Sequence, residues 1–250
     1  MPIEIPSAMI LAAGLGTRMR PITETLPKPL VEVAGKPLIA YGLEALDRLG
    51  VARVVANVHY LAPMMTKWLK AWPGAEILIS DETDGLLDSG GGVAKALPLL
   101  GPDPFLILNA DTFWIEDPDA GRDNLAMMED RFDPESMDIL LMTARPDQAT
   151  GHSGAGDFTI DKDGRLHRYR GAGEPLIYAG AIILHPRVFA AITEPKFSLN
   201  RCFDEAQGAG RLFGAPMRGH WLTVGTPEAI GEAEAAISAY RRAGARGAAP

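Results

Sequence analysis

The chain has 250 residues, 47% of them hydrophobic, a formal net charge of −8 and a single cysteine, Cys202. That length suits one α/β domain with a substantial core, and one cysteine excludes an internal disulfide. The acidic balance argues against a nucleic-acid binder, and with no basic-then-apolar leader or run of membrane-spanning length the expectation is a soluble cytoplasmic protein with no membrane partner.

Residues 8–12 form a short apolar run, enough for one buried parallel strand. Gly14 and Gly16 follow, and glycines let backbone N–H groups approach an anion closely. Arg18 adds an always-charged planar fork. Lys28 sits between Pro27 and Pro29, which stiffen its backbone. A dinucleotide fingerprint would need a third glycine where Met19 stands, and a P-loop would need a Gly-Lys-Ser/Thr ending. Neither is present, so the segment predicts a polyphosphate loop of another kind. The competing readings are a plain surface turn and two solvated surface cations.

Residues 37–49 carry a helical apolar stripe closed by Gly50, and 53–58 read as a strand. A helix over 61–71, a strand over 76–80, a helix over 90–99 and a strand over 105–109 complete a β-α-β rhythm. The fold class this predicts is α/β with a doubly wound, mostly parallel sheet. Ligands bind such sheets beyond the carboxyl ends of the strands. The Gly14 loop, the 81–92 loop and Asp111 all fall there, so they are expected to converge on one crevice. Further on, 138–144 predicts a strand, 145–156 a polar loop, 158–160 and 166–169 a hairpin, and 176–184 a strong strand. Thr226 and Pro227 make an N-cap and N1 pair for a helix carrying Ile230, Ala233, Ile237 and Tyr240. The five histidines lack metal-ligand spacing, and Met64, Met65, Met127 and Met128 read as packing residues.

Leu11-Ala12-Ala13-Gly14, Gly16-Thr17-Arg18 and Pro21, followed by Pro27-Lys28-Pro29-Leu30, resemble the signature of the sugar-1-phosphate nucleotidyltransferases. The resemblance extends over nearly the whole chain. Within the family, Leu87-Asp88-Ser89-Gly90-Gly91-Gly92-Val93, Gly156-Asp157-Phe158 and Arg218-Gly219-His220-Trp221 leading to Val224-Gly225-Thr226 are most similar to one branch. That branch joins UTP to N-acetylmuramate 1-phosphate in bacterial cell-wall recycling. The resemblance implies a Rossmann-like nucleotidyltransferase fold with a small β-rich sugar-binding part. It implies one domain over 1–243, with a nucleotide-binding half (1–135), a sugar-phosphate half (136–225), a C-terminal helix (226–243) and a disordered tail (244–250).

The implied reaction is attack by a sugar 1-phosphate oxygen on the α-phosphorus of a nucleoside triphosphate, with pyrophosphate leaving. The nucleophile is already an anion, so cations and oriented donors matter more than a general base. Arg18, Lys28 and Asp111 are the candidate catalytic residues. Arg18 is placed nearest the leaving phosphates and Lys28 at the α-phosphate or the attacking phosphate. Leu11, Ala12, Ala13, Gly14, Gly16, Thr17, Glu82, Asp88, Gly90, Gly91 and Asn109 are the candidates for holding the nucleotide, with glycines 90–92 letting a base lie against backbone. Gly156, Asp157, Tyr178 and Gly180 are the candidates for the sugar phosphate.

Asp111 follows an apolar strand and offers the hard oxygen that Mg²⁺ prefers; its other reading is a cap on the next turn. The resemblance makes Mg²⁺ the expected cofactor. The family usually has Trp-x-Asp before its final Gly-Thr, and Thr223 stands where that second metal-ligating Asp belongs. Thr223, a water or a nearby carboxylate could complete the site, or the metal could be held chiefly by phosphates. Two alternatives stay open: another pairing such as mannose 1-phosphate with GTP, and a regulatory module that binds nucleotide-sugar without turnover.

Overall fold

The computed structural model describes residues 4–247. In chain order its strands and helices are β1 (Ser7–Leu11), β2 (Glu32–Val33), β3 (Lys36–Pro37), α1 (Leu38–Leu49), β4 (Arg53–Val58), α2 (Ala62–Lys70), β5 (Glu76–Asp81), α3 (Asp88–Leu100), β6 (Phe105–Asn109), β7 (Thr112–Ile115) and α4 (Asn124–Arg131). Then come β8 (Ile139–Ala144), β9 (Ala149–Thr150), β10 (Phe158–Ile160), β11 (Leu166–Arg168), β12 (Ile177–Leu184), α5 (Leu199–Gly208), β13 (Leu212–Pro216), β14 (His220–Thr223) and α6 (Pro227–Gly247).

Seven strands form the central sheet in the order β13-β8-β12-β6-β1-β4-β5. All neighbours are parallel except β12, which runs antiparallel to both β6 and β8. The chain winds outward from β1 through β4 to β5, then returns to place β6 on the other side of β1. The winding therefore reverses between β1 and β6, where α/β sheets open a crevice at their carboxyl ends. Register pairing sets Leu11 opposite Asn109 at that mouth.

Period-two alternation divides the core between the two faces of the sheet. Ala8 and Ile10 pack with Leu43 and Leu46 of α1 on one face. Met9 packs with Val93 and Ala96 of α3 and Phe203 of α5 on the other. A third cluster joins Met19, Val33, Phe113, Leu222, Ala233 and Ile237. It seats α6 and the β7–β14 ladder against the loop after β1. Met19, at the position that excludes a dinucleotide fingerprint, is fully buried there and anchors its neighbour Arg18.

Several expectations are revised. The polar segment 145–156 contributes β9, which adds to the edge of a separate β7-β14-β9 sheet. In the second half β8, β12 and β13 complete the central sheet, while β10 and β11 form a small two-stranded sheet of their own. Helix α3 starts at Asp88, so Ser89 does not cap it; the Ser89 hydroxyl accepts instead from the Leu199 N–H at 3.0 Å. Helix α6 continues to Gly247, past the expected end at residue 243, and residues 248–250 of the expected tail lie outside the described residues.

Asp138 fastens the sheet at the end away from the crevice. Its Oδ1 accepts from Arg187 Nε at 2.6 Å and Arg211 Nε at 2.8 Å. Burial alone would raise its carboxyl, but the two guanidinium groups outweigh burial and hold it below its ordinary value of 3.8. A depressed folded-state value adds stability that is complete above the unfolded value and is lost as pH falls through the folded one. Asp138→Asn is therefore expected to cost about 1–3 kcal/mol at pH 7 and to flatten the loss of stability below about pH 4. Denaturant melts between pH 3 and 7 measure this, and an unaltered acid limb would show that Asp138 contributes nothing to it.

Candidate active site

The crevice at the reversal point is a cleft of about 330 Å³. Leu11 to Gly14, Leu86, Asp88 and Asn109 to Asp111 form its wall, so the three expected segments do converge. Lys28 closes it from below. Its Nζ donates to Asp111 Oδ2 at 2.6 Å, and the lysine side chain is only 11% exposed. The Pro27-Lys28-Pro29 step folds as a single 3-10 turn, which limits the directions the ammonium can take.

Local sequence builds this placement. Gly16 adopts φ +64, and a Cβ there would meet Lys28 Cβ at 2.9 Å and Thr23 Cγ2 at 3.0 Å. Glycine is thus needed both for the left-handed turn and for the approach of the lysine. The Thr23 hydroxyl donates to Gly16 O at 2.7 Å and holds the turn shut. Gly14 meets nothing within 4 Å, leaving its backbone open to the cleft. Thr17 and Arg18 are exposed on the loop.

Asn57, at the end of β4, is a residue the sequence did not flag. Its Oδ1 accepts from the Ala12 N–H at 2.8 Å and its Nδ2 donates to Glu82 Oε1 at 2.7 Å. Glu82 Oε2 in turn accepts from the Leu87 N–H at 3.1 Å. This clasp ties the Gly14 loop to the 81–92 loop through two buried side chains. Glu82 is 1% exposed and faces inward, so the expectation that it touches nucleotide is corrected. The N–H groups of Gly90 and Gly91 are likewise turned to the chain's own partners. Both donate their N–H groups to Phe197 O, at 2.9 and 3.0 Å, and a Cβ on either would strike the 195–197 segment. Glycine at both positions admits the neighbouring loop. Asp88 does reach the cleft and holds the unusual φ of +62 at the first position of α3.

Two further cavities are lined by candidate residues. One of about 230 Å³ shares Leu11, Ser89 and Asn109 with the cleft and is walled by Asp157, Tyr178 and Arg168. Asp157 Oδ2 accepts from the Tyr178 N–H at 2.9 Å. The Tyr178 hydroxyl is buried without a hydrogen-bond partner. Burial first, then the charges of Asp111 and Asp157, raise its pKa, so it stays a neutral donor. Gly156 and Gly180 do not reach the cavity wall. Gly156 turns the chain against Pro175 at φ +116, and Gly180 lets Thr112 approach β12 at φ +80.

The other cavity, about 270 Å³, holds Arg18, His152, Trp221, Thr223 and Gly225. Arg18 thus lines this cavity and not the central cleft, with its guanidinium beside Gly225. Thr223 pairs with Thr112 in the β14–β7 ladder, and Val224 N–H donates to Asp111 O at 3.0 Å, so Thr223 stands beside Asp111 as its sequence position suggests. His152 also lines this cavity, and its Nε2 is buried without a hydrogen-bond partner. Among the described residues no group of three or more His, Cys, Asp or Glu could by itself hold a metal ion. No helix among them is long and apolar enough to cross a membrane.

The cleft at the switch point thus combines a glycine loop with a lysine and an aspartate, and has neither a P-loop nor a dinucleotide fingerprint. The family model described as nucleotidyl transferase matches residues 7–239. The chain belongs to the nucleotidyl transferase family. It is 42% identical to an N-acetylmuramate alpha-1-phosphate uridylyltransferase of Caulobacter vibrioides, over 92% of this chain and 96% of the relative. It is 35% identical to the protein of that name from Neisseria meningitidis serogroup B, over 94% and 99% of the two chains. The solved UDP-glucose pyrophosphorylase in complex with UDP-glucose shares the nucleotidyltransferase fold at a TM-score of 0.77 and 17% identity, covering 95% of this chain and 100% of its own.

Replacing Asn57 by Ala strips Ala12 N–H and Glu82 of buried partners at once. The expected cost is about 2–4 kcal/mol of stability, together with weaker nucleotide binding as the two loops part. Thermal denaturation and titration with UTP test this; a stable variant that binds UTP as before would show that the clasp does not set the loops.

Proposed function

We propose that the protein transfers a uridylyl group from UTP to N-acetylmuramate 1-phosphate, giving the nucleotide-sugar and pyrophosphate. The observation that carries the reaction class is the Lys28–Asp111 pair beneath the Gly14 loop. The two relatives of that name, alike over almost their full lengths, favour this base and this sugar over the guanosine and mannose pairing.

On this reading the triphosphate lies along the backbone from Leu11 to Thr17, with its α-phosphate at Lys28. The ammonium withdraws charge from the centre under attack and holds the incoming phosphate close to it. Arg18, exposed on the same loop, takes the two phosphates that leave. The acceptor sugar occupies the cavity walled by Asp157 and Tyr178. Asp88 and the neighbouring backbone of α3 face the base.

Asp111 suits Mg²⁺ as a single protein ligand. Its side chain is 35% exposed and lines the cleft, and Mg²⁺ at phosphate sites commonly binds through one or two carboxylates plus phosphates. When bound, Mg²⁺ would neutralise phosphate charge that Lys28 and Arg18 leave uncovered. Thr223 could add its hydroxyl from the adjacent strand.

The reading is tested by pyrophosphate release across a panel of triphosphates and sugar 1-phosphates. UTP with N-acetylmuramate 1-phosphate should exceed every other pairing. Equal or better turnover of GTP with mannose 1-phosphate would reject the specificity, and no turnover of any pair would favour a module that only binds. Two variants test the roles. Asp111→Ala should remove Mg²⁺-dependent turnover while the fold persists. Arg18→Ala should lower kcat about 100- to 1,000-fold with little change in UTP affinity, because its charge acts on the transition state. A loss confined to UTP binding would contradict that role.

A further inference from the structure

We propose that Arg168 reads the lactyl carboxylate that distinguishes a muramate from other amino sugars. This rests on the acceptor proposed above. A sugar whose 1-phosphate meets Lys28 must extend past Leu11, Ser89 and Asn109, the residues shared by the cleft and the adjoining cavity. Arg168, the last residue of β11, forms part of that cavity's wall and, among the described residues, is the only cation in it.

Its guanidinium is preset from three sides. Nε donates to Asp204 Oδ1 at 2.8 Å, and Nη2 donates to Asn200 Oδ1 at 2.9 Å and Asn200 O at 3.3 Å. The group lies 4.7 Å from the ring centroid of Phe158 and 6.0 Å from that of Phe203. Nη1 takes no part in these contacts and remains to donate. Asp204 is 61% exposed, so water screens its charge and the arginine keeps its pull on a second carboxylate. Charge also fixes the sense of binding. Asp157 on the same wall repels an acid and, with one oxygen given to the Tyr178 N–H, offers the other to a sugar hydroxyl. An acidic substituent is therefore turned toward Arg168.

A purely structural arginine, pinning the β10–β11 hairpin to α5, would look similar in the free protein. Two acceptors separate the roles. N-acetylmuramate 1-phosphate and N-acetylglucosamine 1-phosphate differ only in the lactyl ether. Arg168→Gln should raise KM for the first about 10- to 100-fold, the span expected for a lost charge-assisted contact, with kcat nearly unchanged. KM for the second and for UTP should move less than about 2-fold, since neither makes that contact. Arg168→Lys, which keeps a cation over Phe158, should recover part of the loss. Calorimetric titration of the two UDP-sugar products with each variant gives the same comparison independently of turnover. Equal losses on both sugars, or no loss on the muramate, would overturn the assignment. Wild-type protein inactive on N-acetylmuramate 1-phosphate would overturn the acceptor as well; an active wild type with an indifferent Arg168→Gln overturns Arg168 alone.

Discussion

The contact between Lys28 and Asp111 joins the two segments on which the cleft depends. One comes from the long excursion after β1, the other from the end of β6, and the sheet reverses its winding between them. Bringing a mostly buried ammonium to a carboxylate at 2.6 Å keeps the lysine from being an uncompensated charge. The surroundings leave it few other positions. Prolines stand on both sides, Gly16 packs against its Cβ, and Thr23 closes the turn above. The pair is unequal, since Asp111 is three times as exposed as Lys28. That asymmetry leaves the aspartate facing the cleft, where an incoming polyanion and its counter-ion would compete for both partners.

The rest of the molecule supports this point from three directions. The buried cluster of Met19 with α6 and β14 holds the loop that carries Arg18. The Asn57–Glu82 clasp holds the opposite wall at a fixed distance through hydrogen bonds that no solvent can replace. The β7–β14 ladder sets Thr223 beside Asp111. Each of three cavities consequently takes at least one lining residue from the segment between Leu11 and Arg18. In the proposed reaction they divide the substrates among them, with nucleotide in the centre, sugar on one flank and leaving phosphates on the other.

Much of this was legible in the sequence because it is local. The strand, the glycine loop, the Pro-Lys-Pro step and the aspartate after β6 each follow from composition and spacing over a few residues, and the parallel rhythm brings them together. What escaped is long-range. Gly90, Gly91 and Gly180 read as ligand contacts, yet each makes room for a distant part of the chain: Phe197 for the first two, Thr112 for the third. Glu82 read as a base contact because it lies in the right loop, but its partners are the side chain of Asn57 and the backbone of Leu87. Arg168 gave no signal, since its setting depends on α5 meeting a hairpin more than thirty residues earlier. The periodicity of α5 was present nonetheless. Leu199, Cys202, Phe203 and Ala206 repeat at helical spacing behind a capping Ser198. β7 and β14, four residues each, carry too short a pattern to stand out from loops.

The central claim is that a triphosphate is clamped between the Gly14 loop and Lys28, with Asp111 at its metal. The most direct measurement is a crystal structure of the protein with UTP, Mg²⁺ and a non-reacting acceptor analogue. The α-phosphate should lie within hydrogen-bond reach of Lys28, the outer phosphates toward Arg18, and the ion on Asp111. Well-ordered UTP bound elsewhere, with the Lys28–Asp111 contact undisturbed, would contradict it.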